Sequence, residues 1–437
     1  MALSKDARQP QKRHVEICIG DSALTVGDLT WVKDGNREYS TFAYREGWLR
    51  NPSRFKVSPD LELVTYFQVR KAPTKEDSCF PFALADTQPD SWGRRVIARA
   101  SAKERGLNPG LGVLTEMDYL CAVDDFSRVG ALRLRDENGG FLRTTRPDER
   151  TTPPLVNLKL IYQASRAVES GNESLDDLRY LQGKGTSLGG MRPKCTVLDD
   201  DGSLAIGKFP SVHDERAVTR GEVLAMRLAA LAGIEVAHAR VVVIEDVPVA
   251  VIKRFDRAVG TGRIHYLSAS SLLQANRGEE RTYTELVDAM RSVCLDAQAD
   301  ARQLWRRLAF NLLITNIDDH LHNTGFLYAG NGLWRLSPAF DLNPFPDKHR
   351  ESKTWLSEDT GPLTSVETLL DKARYFHLSR DAAVTVLAEV VTAVSRWRWL
   401  AAKQEIAFTV QDIKDFEPAF DHGEMEKARA LVGCPRP

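Results

Sequence analysis

The sequence predicts an α+β protein of several domains, with a β-rich front, a mixed middle and a mostly helical back. Three observations predict it. At 437 residues the chain exceeds what one hydrophobic core usually organises. Short runs of alternating apolar residues bounded by turn residues occupy its beginning, the mark of half-buried strands. From about Tyr283 onward the apolar positions recur at helical spacing instead.

Composition narrows the class. With 43% hydrophobic and 27% charged residues the chain is an ordinary globular protein, which excludes disorder and fibrous repeats. A net charge of -1 and a pI near 6.8 provide no long-range field for nucleic acid or an anionic membrane, so any DNA contact must be local or carried by a partner. Six cysteines (Cys18, Cys79, Cys121, Cys195, Cys294, Cys434) lie scattered without a C-x-x-C pair. That spacing argues against a zinc knuckle or a disulfide framework and for reduced thiols. The start, "MALSKDARQPQKRHVE", lacks the apolar stretch of a signal peptide, and no window reaches the roughly 18 apolar residues of a membrane helix. A cytosolic protein without membrane attachment is expected.

Taken in order, "HVEICIG", "ALTVGDLTWV" and "STFAYREGWL" read as strands. "SWGRRVIARASAKERG" and "LTEMDYLCAV" read as amphipathic helices before the strand-like "GALRLRD". Residues 1–135 thus form an α+β front domain. The stretch "DENGGFLRTTRPDERTTPP", rich in Gly, Pro, Thr and charge, reads as a linker over 136–154. A middle domain over 155–256 follows: the helix "LVNLKLIYQASRAVES", a glycine-containing stretch, two strands, a helix and two more strands. Residues 257–437 form the helical lobe.

The middle domain opens its chemistry with "GKGTSLGGMRPKCTVLDDDGSLAIGKFP", residues 183–210. Gly183, Gly185, Gly189 and Gly190 allow close backbone approach, which amides surrounding a phosphate require. It is not a Walker A loop, because Met191 follows Gly190 where Lys and Ser/Thr belong, and it departs from G-x-G-x-x-G. A plain surface loop fits the same residues. "CTVL" and "LAIGK" flank an Asp201-Gly202 turn, so Lys208 ends a strand beside the glycine loop, suited to hold nucleotide phosphates as a point charge or simply to reach water. In the helix "RGEVLAMRLAALAGI", Val223, Leu224, Leu228 and Leu231 share one side and Gly233 is the stop. Glu222 falls in its expected first turn, where a carboxylate gains from the helix dipole and can pair with Lys208. "ARVVVIEDVPVAVIKRFDR" gives two strands ending at Lys253, Arg254, Phe255 and Asp256. At that exit Phe255 either packs on an adenine or belongs to the core.

The helical lobe carries "ITNIDDHLHN", residues 314–323, directly after an apolar helix. Asp318 and Asn323 have the spacing of D-x-x-x-x-N, in which the Asp accepts the proton of an attacking hydroxyl and the Asn offers an amide oxygen to Mg²⁺. "GFLYAGNGLWRLSPAFD" then reads as a hairpin turning at Gly330-Asn331-Gly332 and delivering Asp341, a second magnesium carboxylate. The D-F-G of kinases is absent: Leu342 follows Asp341. Asp318, Asp319, His320 and His322 also admit a metal-hydrolase reading, but no other histidine stands at ligand spacing.

The ordered series resembles the HipA family of kinase-like proteins, the toxins of bacterial HipBA toxin–antitoxin modules. The likeness runs through "STFAYREGWL", "ALADTQPDSWGRRVI", "GTSLGGMRPK", "KFP", "KRFDR", "NIDDHLHN" and "SPAFDLNP". It implies a two-lobed kinase-like fold with a β-rich amino-terminal subdomain. It also implies ATP- and Mg²⁺-dependent phosphorylation of protein Ser or Thr, with translation factors of the aminoacyl-tRNA synthetase type as substrates. The implied partner is a small helix-turn-helix antitoxin of HipB type that binds operator DNA.

Carried onto this chain, the resemblance implies Lys208 as the strand lysine with Glu222, Asp318 as catalytic base with His320, and Asn323 and Asp341 as metal ligands. Asp319 becomes a neighbour and not the base. The nucleotide would meet Gly185, Ser187, Gly189, Gly190 and Lys194, with the hinge at Lys253, Phe255 and Asp256. A self-phosphorylated serine maps to Ser187, next to Thr186, where the added phosphate would place roughly two negative charges in the ATP phosphate site. Many relatives carry Lys where this chain has His322, and its "GGMRPK" loop also differs. The expected function is a HipA-type Ser/Thr protein kinase. The alternatives are an ATP-binding regulatory pseudokinase acting with an antitoxin on DNA, and a metal-dependent phosphohydrolase.

Overall fold

The computed structural model describes residues 10–142, 157–182, 190–258, 262–346 and 351–434. At the front lie β1 (Gln11–Ile19), β2 (Leu24–Asp34), β3 (Arg37–Tyr44), α1 (Glu46–Leu49), β4 (Gln68–Lys71), α2 (Phe82–Ala85), α3 (Ser91–Leu107), α4 (Glu116–Ala122) and β5 (Leu132–Arg135). The strands form one antiparallel sheet in the order β4-β3-β2-β1-β5. Period-two alternation buries Ser40, Phe42 and Tyr44 of β3 along one face. The stretch expected as a single strand divides after Tyr44, where α1 gives one helical turn. Trp48 of this turn reaches the core and meets Phe55 edge-on at 5.6 Å. The expected linker begins as a turn closed by Asp136 N donating to Gly140 O at 2.8 Å; positions 143–154 lie outside the described residues.

The middle comprises α5 (Leu158–Ser170), α6 (Leu175–Gln182), β6 (Lys194–Leu198), β7 (Leu204–Lys208), α7 (Val218–Leu231), β8 (Ala239–Ile244) and β9 (Val247–Lys253). Its sheet is antiparallel in the order β6-β7-β9-β8. Glu245 and Asp246, both at positive φ, turn β8 into β9. On one face Cys195, Val197, Val249 and Val251 share a core with α5, α6 and α3. Helix α3 is capped by Asp90 accepting from Gly93 N at 2.7 Å, worth about 1 kcal/mol, and it buries Trp92, Val96 and Ala100 at four-residue intervals. Although α3 comes from the expected front domain, its apolar stripe thus completes the middle one. The opposite face takes α7, whose Val223, Leu224 and Leu228 are buried, whereas Leu231 is half exposed at its end.

The back holds β10 (Tyr266–Ser268), α8 (Ala269–Leu272), α9 (Tyr283–Val293), α10 (Ala297–Leu313), β11 (Gly325–Gly330) and β12 (Leu333–Leu336), with a sheet in the order β10-β11-β12. Beyond them come β13 (Trp355–Ser357), β14 (Gly361–Pro362), α11 (Val366–Asp371), α12 (Arg380–Val394), α13 (Trp397–Ala401), α14 (Val410–Phe420) and α15 (Gly423–Val432). From Arg307 to Leu313 every residue of α10 is buried, which makes it the central helix of the lobe. The front is fixed onto this lobe: Phe55 stacks on Tyr328 at 3.9 Å, and the His265 ring donates to Val57 O at 2.7 Å. All six cysteines are free thiols. Among the described residues no helix is long and apolar enough to cross a membrane.

Candidate active site

Strand alternation sets the site. Because Cys195 and Gly207 pair on the face toward α5, their neighbours Lys194 and Lys208, also paired in register, project to the other side. Lys208 Nζ donates to Glu222 Oε1 at 2.5 Å and to Asp341 Oδ1 at 2.7 Å. Burial disfavours its ammonium, but Asp341 and Glu222 outweigh that and hold the lysine above its usual range. Asp341 is opposed by the same burial, yet Lys208 keeps it below the ordinary carboxylate range. For Glu222 burial wins and the carboxyl is raised.

Glu222 is the fifth residue of α7, in its second turn, and not in the first turn as expected. The helix begins earlier than the sequence indicated, because Val218 and Thr219, β-branched and extended-looking, are helical. The ion pair with Lys208, and not the helix dipole, therefore accounts for Glu222.

Beyond the strand, Lys194 is buried and reaches Asp90 Oδ2 at 3.0 Å, while Trp92 N donates to Gly190 O. The N-cap of α3 thus holds the end of the glycine stretch. Gly190 sits at φ +96°, a conformation that favours glycine, and a Cβ there would lie 2.9 Å from the Lys194 Nζ and displace the end of that side chain. Gly185, Thr186, Ser187 and Gly189 lie outside the described residues.

Below the sheet the chain leaves α10 through Thr315 at φ +53°, an outlier for a β-branched residue. It continues into the loop of Asp318 and a short turn of helix, Leu321–Asn323. Asp319 is the buried anchor: its Oδ2 accepts from Tyr283 OH and, at 2.8 Å, from Asn311 Nδ2. Burial raises its carboxyl. Asp318 points the other way, and its Oδ1 pairs with Lys353 Nζ. Asn323 Nδ2 donates to Asp318 O at 2.9 Å. Burial lowers His320, favouring its neutral form, and its ring stands 5.8 Å from that of His322.

Asn323 and Asp341 line one small cavity together with Asn316, Asp319 and Phe340. Nδ2 of Asn323 is used on the loop, and its amide oxygen takes no hydrogen bond from a described residue. Asp341, held at φ +56°, binds Lys208 and Asn343 through Oδ1, and its Oδ2 takes no hydrogen bond from a described residue. A carboxylate and an amide oxygen on one cavity are a hard-oxygen donor set that fits Mg²⁺. Among the described residues no three His, Cys, Asp or Glu side chains are grouped to hold a metal.

Three hinge residues fare differently. Phe255 is half-buried with its ring 5.4 Å from Phe340, one ring away from the cavity. Lys253 extends to Asp201 in the β6–β7 turn at 2.9 Å. The Asp256 carboxylate is taken up by Arg254, Arg257 and, at 2.7 Å, Gly130 N of the front module. Its carboxylate thus staples the front module to the core. Lys353, Asp90 and Asn343 were not legible as site residues. Asp90 carried the signal of an N-cap before a helix, whereas Lys353 lies in a polar stretch with no pattern.

Residues 186–398 match the HipA-like C-terminal domain family. Y4mE of Sinorhizobium fredii (strain NBRC 101917 / NGR234), a candidate kinase by name, is 26% identical over 343 residues, covering 72% of this chain and 74% of that one. HipA of a toxin–antitoxin system of Shewanella oneidensis MR-1, solved with HipB and operator DNA, superposes with a TM-score of 0.60 at 15% identity over 96% of both chains. The four-stranded sheet with α7 and the helical lobe around α10 are accordingly the two lobes of a kinase-like fold, and residues 186–398 are similar to the HipA-like C-terminal domain family.

Proposed function

We propose that this chain is an ATP-dependent protein kinase that phosphorylates Ser or Thr hydroxyls of a protein. The observation that carries the reading is the Lys208 bridge between Glu222 and Asp341, beside the loop of Asp318 and Asn323. A lysine fixed by a helix glutamate is the arrangement that positions nucleotide phosphates, and the Asp–Asn loop belongs to the acceptor side. Asp341 and Asn323 would hold Mg²⁺, which when bound would supply charge neutralisation at the phosphate oxygens. Asp318 takes the proton of the acceptor hydroxyl as its oxygen bonds to the γ-phosphorus. The bond from that phosphorus to the bridging oxygen breaks, and ADP leaves with the electron pair.

The same reading extends to regulation and partners. Self-phosphorylation at Ser187 or Thr186 would set like charge against incoming ATP. By analogy with the Shewanella complex, the partner is a helix-turn-helix antitoxin of HipB type in a type II module, with DNA reached through it. The net charge of -1 agrees with such indirect contact. A translation factor such as an aminoacyl-tRNA synthetase, met in the cytosol, is the proposed substrate.

Incubation with γ-labelled ATP and Mg²⁺, followed by mass spectrometry of residues 183–194, tests the reading with Asp318→Asn alongside. Phosphate that appears in the wild type and vanishes in the variant is expected. Nucleotide binding without transfer in either protein would refute the kinase and favour a regulatory pseudokinase.

A further inference from the structure

The cations of this site are unequally placed. Lys208 is buried between two carboxylates, and Lys194 is buried against Asp90. Lys353 alone among the described lysines pairs with Asp318, and its side chain is 60% exposed. Its location is set by backbone and not by a chance rotamer. Lys353 N donates to Ile317 O at 3.2 Å, and Thr354 Oγ1 donates to Asp319 O at 2.8 Å, so residues 353–354 are bound to the loop on both sides of Asp318. Thr354 is buried, and Trp355 bridges to Thr282 at the start of α9. The chain emerging from Asp341 is thereby returned to the catalytic loop.

Among the described residues, partners engage one carboxylate oxygen of Asp318. Oδ1 pairs with Lys353, while Oδ2 takes no hydrogen bond from a described residue. A carboxylate fixed through one oxygen presents the other in a defined direction, which a proton acceptor needs when the reacting hydroxyl must be held in line. An ion pair this exposed contributes little to folding, so stability alone gives no account of why it is built so firmly.

We propose that Lys353 is the positioning residue of Asp318: it holds Oδ1 and thereby aims Oδ2 at the acceptor hydroxyl. The inference rests on the kinase reading and assigns a residue to it that no motif marks. During transfer the proton moves from the hydroxyl to Oδ2, while Lys353 Nζ keeps its hydrogen bond to Oδ1.

The test compares full-length wild type, Lys353→Gln, Lys353→Arg and Asp318→Asn. Single-turnover transfer from γ-labelled ATP with Mg²⁺ is followed, with the chain itself and dephosphorylated casein as acceptors. Fluorescent ATP-analogue binding and thermal midpoints are measured in parallel. Lys353→Gln should slow transfer on the order of 10- to 100-fold, with nucleotide affinity and thermal midpoint unchanged, and Lys353→Arg should restore most of the rate. An unchanged or faster rate in Lys353→Gln beside an inactive Asp318→Asn would overturn the role of Lys353 and leave the kinase standing. Absence of transfer by the wild type to either acceptor would overturn both.

Discussion

Lys208 Nζ lies 2.5 Å from Glu222 Oε1 and 2.7 Å from Asp341 Oδ1, so one ammonium joins a strand of the sheet lobe, a helix above it and a carboxylate of the helical lobe. Substitution Lys208→Met leaves two carboxylates facing each other in a buried place. We expect a loss of roughly 3–5 kcal/mol in urea unfolding and loss of ATP-analogue binding. Lys208→Arg should not rescue binding, since a planar fork does not replace a point charge shared by two acids. Retained affinity in Lys208→Met would contradict the assignment of this lysine to the nucleotide.

The Asp319 anchor predicts an effect on rate without one on nucleotide affinity. Tyr283→Phe removes a donor to the buried Oδ2. It should cost about 1–3 kcal/mol and slow phosphoryl transfer by loosening the loop that carries Asp318. Binding of ATP analogue, which relies on Lys208 across the cleft, should stay within twofold (roughly 0.4 kcal/mol). A variant with wild-type turnover would show that the loop keeps its shape without this bond.

Removing Asp256 should detach the front module. Burial opposes its charge, but Arg254 and Arg257 keep it well below the ordinary carboxylate range. Asp256→Asn leaves both guanidinium groups short of their acceptor and should destabilise the protein by about 3–5 kcal/mol. Limited proteolysis ought then to cut near Gly130, which loses its bond to the carboxylate. Equal protease resistance of variant and wild type would argue against the staple.

His265 supplies a pH dependence whose sign is determined. Burial lowers its pKa from about 6.5 to about 4. In acid the unfolded chain therefore binds a proton that the folded chain refuses. The stabilising contribution is present above the unfolded value near 6.5 and is lost as pH falls from there toward 4. Between pH 7.5 and 5 it should cost about 2 kcal/mol. His265→Gln keeps a donor toward Val57 O but does not titrate. The difference between the two proteins in urea unfolding should shrink by that amount at pH 5, and parallel curves would disprove the assignment.

Much of the site could be read locally because its elements are local. Lys208 ends a strand next to a tight turn, Asp318 and Asn323 share one loop, and the Gly330-Asn331-Gly332 hairpin delivers Asp341. Turn chemistry and the alternation of strands decide these positions within a few residues, so the order of motifs already indicated a strand lysine followed by the Asp318–Asn323 loop and Asp341.

Tertiary structure decided the rest, for reasons that spacing cannot carry. Whether Glu222 acts by helix dipole or by ion pair depended on where α7 begins, and burial against the sheet shifted that start. Asp256 lies in the same motif as Phe255, yet packing turned one side chain toward Phe340 and the other into an arginine staple. Lys353 and Asp318 are far apart in sequence, and their pairing exists because the chain folds back from Asp341 onto the loop. Short-range stereochemistry determined which groups this protein possesses. Only the long-range packing of front module, sheet lobe and helical lobe determined which of them face one another.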